Sequence, residues 1–247
     1  MTTPRADYRS LDAGKIVTTI DQLRRRIDER FPGAGLARVA DDLGAVARDT
    51  QRKREELDRP NWPLRLLPVL FIAACAGITL IVAHSVDVGR SNTEPTNLLQ
   101  TVEATINTIV LAGIGFVFFL TLERRFKRRR ALAALHQLRS LVHVIDMHQL
   151  TKDPSLTLGS ESATAASPKR DMTVFELGRY LDYCSEMLSL CGKVAALYAQ
   201  TLDDPVIVAA VNDIEMLATN LSRKIWQKIA ILQSSLRTEP QPSGPSL

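Results

Sequence analysis

The stretch LLPVLFIAACAGITLIVAHSV, residues 66–86, runs for 21 residues without Asp, Glu, Lys or Arg. A bilayer core takes about 20 apolar residues in a helix. Leu, Ile, Val and Phe dominate the stretch, and each favours insertion by about 0.3–0.6 kcal/mol at mid-span. The rival reading is a buried core helix of a water-soluble protein. A second stretch of the same kind weighs against that reading: residues 104–122 are also free of charge. The sequence therefore predicts an all-α chain built on a transmembrane helical hairpin. Its parts are one span over 64–86, an external loop over 87–97 and a second span over 98–122. The connector, DVGRSNTEPTN, is short and polar, which favours antiparallel neighbouring helices.

Orientation follows from the flanks. Arg52, Lys53, Arg54, Arg59 and Arg65 precede the first span. Arg124, Arg125, Lys127, Arg128, Arg129 and Arg130 follow the second, while the connector holds only Arg90. Lys and Arg near span ends stay on the cytoplasmic side, so both termini are expected in the cytoplasm. The basic cluster is then a topology determinant and a contact for anionic lipid headgroups, worth about 1 kcal/mol per residue near the surface. The same cluster suits nucleic acid in principle. It lacks stacking aromatics and any recognisable binding motif, and nucleic acid is not an expected partner. Trp62 stands where an interfacial aromatic would stand.

The remaining chain reads as cytoplasmic helical hairpins of coiled-coil type. In the N-terminal region, 1–60, Ile16, Ile20, Leu23 and Ile27 recur at helical spacing. The break Phe31-Pro32-Gly33-Ala34-Gly35 follows. Leu36, Val39, Leu43 and Val46 resume the stripe towards Leu57. The second span is expected to continue as a helix over 123–153, with Leu132, Leu135, Leu138, Val142 and Ile145 on one side. Residues 154–170 are rich in Ser, Thr and Ala and read as a flexible linker. An antiparallel hairpin over 171–237 comes next. Thr173 with Glu176 makes a capping box. Leu177, Leu181, Cys184, Leu188, Cys191, Ala195, Tyr198 and Leu202 form a heptad seam. Asp204-Pro205 starts the second helix, whose seam is Ile207, Val211, Ile214, Ala218, Leu221 and Ile225. Lys228 would then interrupt the seam, which drifts to Ile229, Leu232 and Leu236. The tail 238–247 is expected to be disordered.

Candidate chemistry is sparse. His136, His143 and His148 share one helix, but about 10 Å of axis separates the first two, too far for one metal ion. Surface hydrogen bonding or packing at a helix interface explains them more simply. His84 reads as interfacial. Cys184 and Cys191 fit small buried apolar residues. Their spacing within one helix rules out a bridge between them, and a reducing compartment is the natural setting. Gln100, Glu103 and Asn107 form a polar strip on the second span. In an oligomer such strips line a cation path; the plainer reading is interfacial Glu103 with Asn107 bonding to a neighbouring helix. Ala73 and Gly77, with Ala112 and Gly115, offer small surfaces for close helix packing. No phosphate loop, nucleophile elbow or zinc-finger spacing is present. Neither enzyme activity, nor a cofactor, nor a metal site is expected.

Three stretches, RRRIDERFPGAGL (24–36), LRSLVHVIDMHQLTKDP (138–154) and LSRKIWQKIAIL (221–232), resemble a type of bacterial two-span helical membrane protein. The resemblance implies a bacterial inner-membrane setting. It implies no reaction, cofactor or site. Three functions are compatible with these features. The first is a membrane-anchored scaffold that acts through its helical hairpins, by self-association into a homo-oligomer or through a helical protein partner. The others are an oligomeric channel and a regulatory subunit of a membrane enzyme.

Overall fold

The computed structural model describes residues 10–58, 62–85, 95–154 and 172–238. Every regular element among them is helical, so the chain is all-α. The helices are α1 (Ala13–Arg30), α2 (Gly35–Asp58), α3 (Trp62–Ser85), α4 (Pro95–Leu150), α5 (Val174–Thr201) and α6 (Pro205–Thr238). The expected external loop up to residue 94, the expected linker from 155 to 170 and the expected tail beyond 238 lie outside the described residues, as do the side chains of Trp62, His84 and Gln100.

The helix ends are fixed by short-range chemistry. Asp12 caps α1 by accepting from the Lys15 N–H at 3.1 Å. Gly33, with φ of +73°, turns the chain between α1 and α2; glycine enters that left-handed region without a Cβ penalty. The capping box at Thr173 is complete. Its hydroxyl accepts from the Glu176 N–H at 3.2 Å, and the Glu176 carboxylate accepts from the Thr173 N–H at 2.9 Å. Asp204 caps α6 by accepting from the Val206 N–H at 3.0 Å, with Pro205 in the first turn. Each such cap contributes about 1 kcal/mol.

The chain divides into two compact units. The first comprises residues 1–56 and 131–247. Its centre is α5. Besides the seam read from the sequence, Tyr180, Tyr183, Met187, Leu190, Val194 and Leu197 are buried, so α5 is covered on nearly all sides. A helix apolar all round belongs inside a bundle. One face packs on α6 through Ile207, Val211, Ile214, Ala218, Leu221, Ile225, Ile229 and Leu232, all buried. Another face meets α1. Arg26 pairs with Glu186 at 2.8 Å, and the Phe31 ring stands edge-on to Tyr180 and Tyr183. At the other end of α1, the Leu11 N–H donates to Gln200 Oε1, so α1 and α5 run antiparallel.

Helix α2 lies on α1 through the pairs Arg24–Asp41 and Arg48–Asp21. It also touches α5, where the buried Tyr198 hydroxyl donates to Thr50 Oγ1 at 3.1 Å. Its buried stripe is Leu36, Val39, Ala40, Leu43, Ala47 and Thr50; Val46 is half-buried, and Ala47 takes the inward place the sequence assigns to it. Similarly, the inward face of α4 is Ala131, Ala134, Leu135, Leu138, Val142, Ile145 and Gln149, with Leu132 at its margin.

The second unit comprises residues 57–130. Within it, α3 and α4 meet at Phe71 and Phe119, ring centroids 5.4 Å apart. The Phe71 ring lies against Gly115, where a Cβ would overlap it. Several other described apolar side chains point outward: Leu70 and Ile78 on α3, and Ile109, Leu111, Ile114 and Val117 on α4, all at least half exposed. Among the described residues, one helical stretch, Ile106–Leu150, contains an apolar run long enough to cross a membrane. Leu66–Ile78 is a shorter apolar stretch of α3, whose side chains beyond residue 78 lie outside the described residues.

Candidate functional site

The residues singled out in the sequence lie in three places. The basic cluster occupies the end of the second unit. Lys127 is ion-paired with Glu123 at 3.2 Å, one helical turn back, and the Arg130 guanidinium stacks on Phe126 at 4.6 Å. Arg124, Arg125 and Arg129 are exposed, and Arg128 is half-buried. The Glu123 carboxylate thus offsets one positive charge of the cluster, and four guanidinium groups, those of Arg124, Arg125, Arg129 and Arg130, are exposed. On the polar strip, Glu103 and Asn107 are both exposed on α4.

The third place is a knot of polar side chains where α4 ends inside the first unit. The last carbonyls of a helix lack intrahelical partners. Here Lys228, from α6, supplies them. Its ammonium donates to Gln149 O at 2.9 Å, Gln149 Oε1 at 2.8 Å and Lys152 O at 3.3 Å. Three acceptors around one nitrogen require three donors, which only the charged form provides. A cation at a helix C-terminus also meets the negative end of the macrodipole. Burial pushes the Lys228 pKa down, opposed by the nearby Asp153 and Asp146 carboxylates. Gln149 is buried and completes its own bonding by donating to Asp146 Oδ1 at 2.7 Å.

The neighbouring residues extend the knot. His148 shares a hydrogen bond with the Tyr180 hydroxyl, Nδ1 to oxygen 3.3 Å. The His148 ring rests on Gly35, the first residue of α2. Burial lowers the His148 pKa, and Lys152 and Arg38 lower it further. Lys152 also stands over the Tyr180 ring at 5.5 Å. Three helices, α2, α5 and α6, thus converge on the end of α4. Of the four histidines, His148 takes the packing role; His136 and His143 are exposed on α4.

Sequence reasoning noted Lys228 as a break in the α6 seam but not its partners. A lone cation in an apolar rhythm is the signal that was present; its meaning depended on where α4 stops. Tyr180 and Gln149 carried no such mark.

The hydrogen bonds of the knot hold the end of α4 against α5 and α6. Burial pushes the Cys184 and Cys191 thiols up to about 12, so both remain protonated and unreactive at neutral pH. Both are free. Among the described residues no three His, Cys, Asp or Glu side chains gather as a metal site. No protein family, curated protein or solved structure matches the chain.

Proposed function

We propose that the chain is a membrane-anchored helical scaffold of the bacterial inner membrane, with both termini in the cytoplasm and its helical bundle presented to a protein partner. The single observation that carries this reading is the contrast between the two units. In the first, the helices bury a continuous apolar core, and the exposed apolar side chains, such as Met147, Phe175 and Met216, are scattered over several helices. In the second, Ile109, Leu111, Ile114 and Val117 stand exposed on a helix that carries no charge from 104 to 122. Exposed apolar area on that scale is stable against hydrocarbon, not against water. Helices α3 and α4 would form the two-span hairpin, and Pro68 within α3 is tolerated in such a setting because neighbouring groups re-satisfy the backbone. The exposed Arg124, Arg125 and Arg129 then sit at the anionic cytoplasmic headgroups. Beyond them the described residues form packed helices whose buried cysteines stay protonated, which fits an interaction protein better than an enzyme, and no cofactor is invoked.

Membrane fractionation tests this reading. The chain is expected to stay in the pellet after high-salt and alkaline washing and to need detergent for release. Reporter fusions at each terminus should both read cytoplasmic, and replacing Arg124, Arg125, Arg128, Arg129 and Arg130 by Asn should scramble that orientation. Recovery in the detergent-free supernatant would overturn the proposal.

The exposure of Glu103 and Asn107 on α4 favours one second reading, an oligomeric cation path along the Gln100, Glu103 and Asn107 strip. Single-channel recording on the purified chain in planar bilayers decides it. Conductance that survives Glu103→Gln and Asn107→Leu unchanged removes that strip as the path.

A further inference from the structure

The outer side of the α5–α6 pair carries a groove of about 500 Å³. Gly192 and Ala218 form its floor, where the two helices come close enough that Glu215 Cγ lies 3.7 Å from the position a Cβ on Gly192 would take. That contact also fixes the level of the two helices: residue 192 of α5 stands opposite residue 215 of α6. The rims are polar and unlike. The α5 rim carries Lys193 and Ser189, and the α6 rim carries Glu215 and Thr219. At one end stands Trp226, 56% exposed. Lys193 donates to Ser189 Oγ at 2.7 Å.

We infer that this groove is the docking surface for a second copy of the same chain, a proposal that rests on reading the protein as an interaction module. The argument is charge self-complementarity. A two-fold axis along the hairpin turns the groove to face itself. It sets α5 of one copy against α6 of the other, antiparallel, at unchanged height. Lys193 then meets Glu215 of the partner subunit, and the same pair forms a second time by symmetry. One turn below, Ser189 meets Thr219 of the partner subunit, hydroxyl to hydroxyl. An isologous interface requires such matching of a surface with itself. The small floor residues let the four helices close, and the two Trp226 rings lie together at one end of the seam. Tryptophan is enriched among the residues that carry the binding energy of interfaces. A foreign helix would need charges arranged by chance to fit the same rims; a second copy has them by construction.

The test uses the full chain in detergent and in nanodiscs, with its mass read by light scattering over a dilution series and by cross-linking. A dimer is expected. Glu215→Lys and Lys193→Glu each place like charges face to face twice per dimer and should weaken it about tenfold or more. The double variant Lys193→Glu with Glu215→Lys restores the pairing in reversed sense and should return the affinity to near the original. Trp226→Ala, at an exposed position, should weaken the dimer with unchanged helicity by circular dichroism. The proposal is overturned if the chain is monomeric throughout, if a dimer ignores both single reversals, or if the double reversal fails to restore it. Membrane fractionation remains a separate readout, so a monomeric chain that still needs detergent defeats the dimer and leaves the anchoring intact. A photo-cross-linker at Trp226 that captures only another protein likewise defeats the second copy while sparing the interaction role.

Discussion

Replacing Lys228 with Met removes the ammonium that closes α4 while keeping most of the side-chain volume. The wild-type ammonium makes three hydrogen bonds of 2.8–3.3 Å. Hydrogen bonds involving a charged group contribute about 1.5–3 kcal/mol net, and a cation near a helix C-terminus adds about 0.3–1 kcal/mol. Against this stands the desolvation that lowers the Lys228 pKa, a penalty that Met does not carry. The variant also leaves Gln149 O and Oε1 buried without that donor, and Asp146 and Asp153 without the nearby cation. Together these place the loss at about 2–3 kcal/mol. The assay is urea unfolding of the full chain in mild detergent, followed by helical circular dichroism and by fluorescence from Trp226, two residues away. With a urea slope of about 2 kcal/mol per molar, the midpoint should fall by about 1–1.5 M. Hydrogen exchange should quicken first at the last turn of α4. A midpoint shift under about 0.3 M at an unchanged slope, with unaltered exchange at residues 146–152, would refute the bridge as a stabilising contact.

Other outcomes follow from the same geometry. Gly178, early in α5, has nothing within 4 Å of the position of a Cβ, so Gly178→Ala should raise stability by about 0.5–1 kcal/mol in the same urea assay. Gly35→Ala should do the opposite, by about 1–2 kcal/mol, because its methyl would fall 2.8 Å from His148 Cε1; loss of the Tyr180–His148 bond would be visible as a shifted histidine resonance. His148 has a lowered pKa in the folded chain, so the unfolded chain takes up the proton first. Its contribution is therefore full above the ordinary value of 6.5 and is lost as pH falls below it, towards the lowered folded value. The unfolding midpoint should drop as pH falls below 6.5, and His148→Gln should flatten that slope. Glu176, whose pKa is lowered by the Thr173 backbone and hydroxyl, acts in a separate window: its stabilisation is present above 4.5 and fades below.

Much of the architecture was legible along the chain because its causes are local. The capping box at Thr173 and Glu176 depends on residues three apart, and it closes as the sequence implies. The Asp204-Pro205 start and the glycine turn after Phe31 rest on backbone preferences of single residues. The α5 and α6 seams follow from helical periodicity. Less legible was the second apolar face of α5. Tyr180, Tyr183 and Met187 interrupt a simple stripe; Phe31 at the end of α1 stands edge-on to both tyrosines, and His148 of α4 bonds Tyr180. The exchange of Val46 for Ala47 on α2 is of the same kind, since spacing alone does not report how near a neighbouring helix comes.

By itself, the sequence determined an all-helical chain, the positions of its helix ends, its apolar charge-free runs and the basic cluster that follows the second of them. These are properties of composition and of neighbours within four residues, where backbone sterics and side-chain capping act. The tertiary structure alone decided that the N-terminal hairpin, the end of α4 and the C-terminal hairpin share one core. It alone gave Lys228 its partners, 76 and 79 residues away, and set Lys193 and Glu215 on opposite rims of one groove. Those relations depend on which distant surfaces meet, and periodicity along a chain carries no record of the partner on the other side.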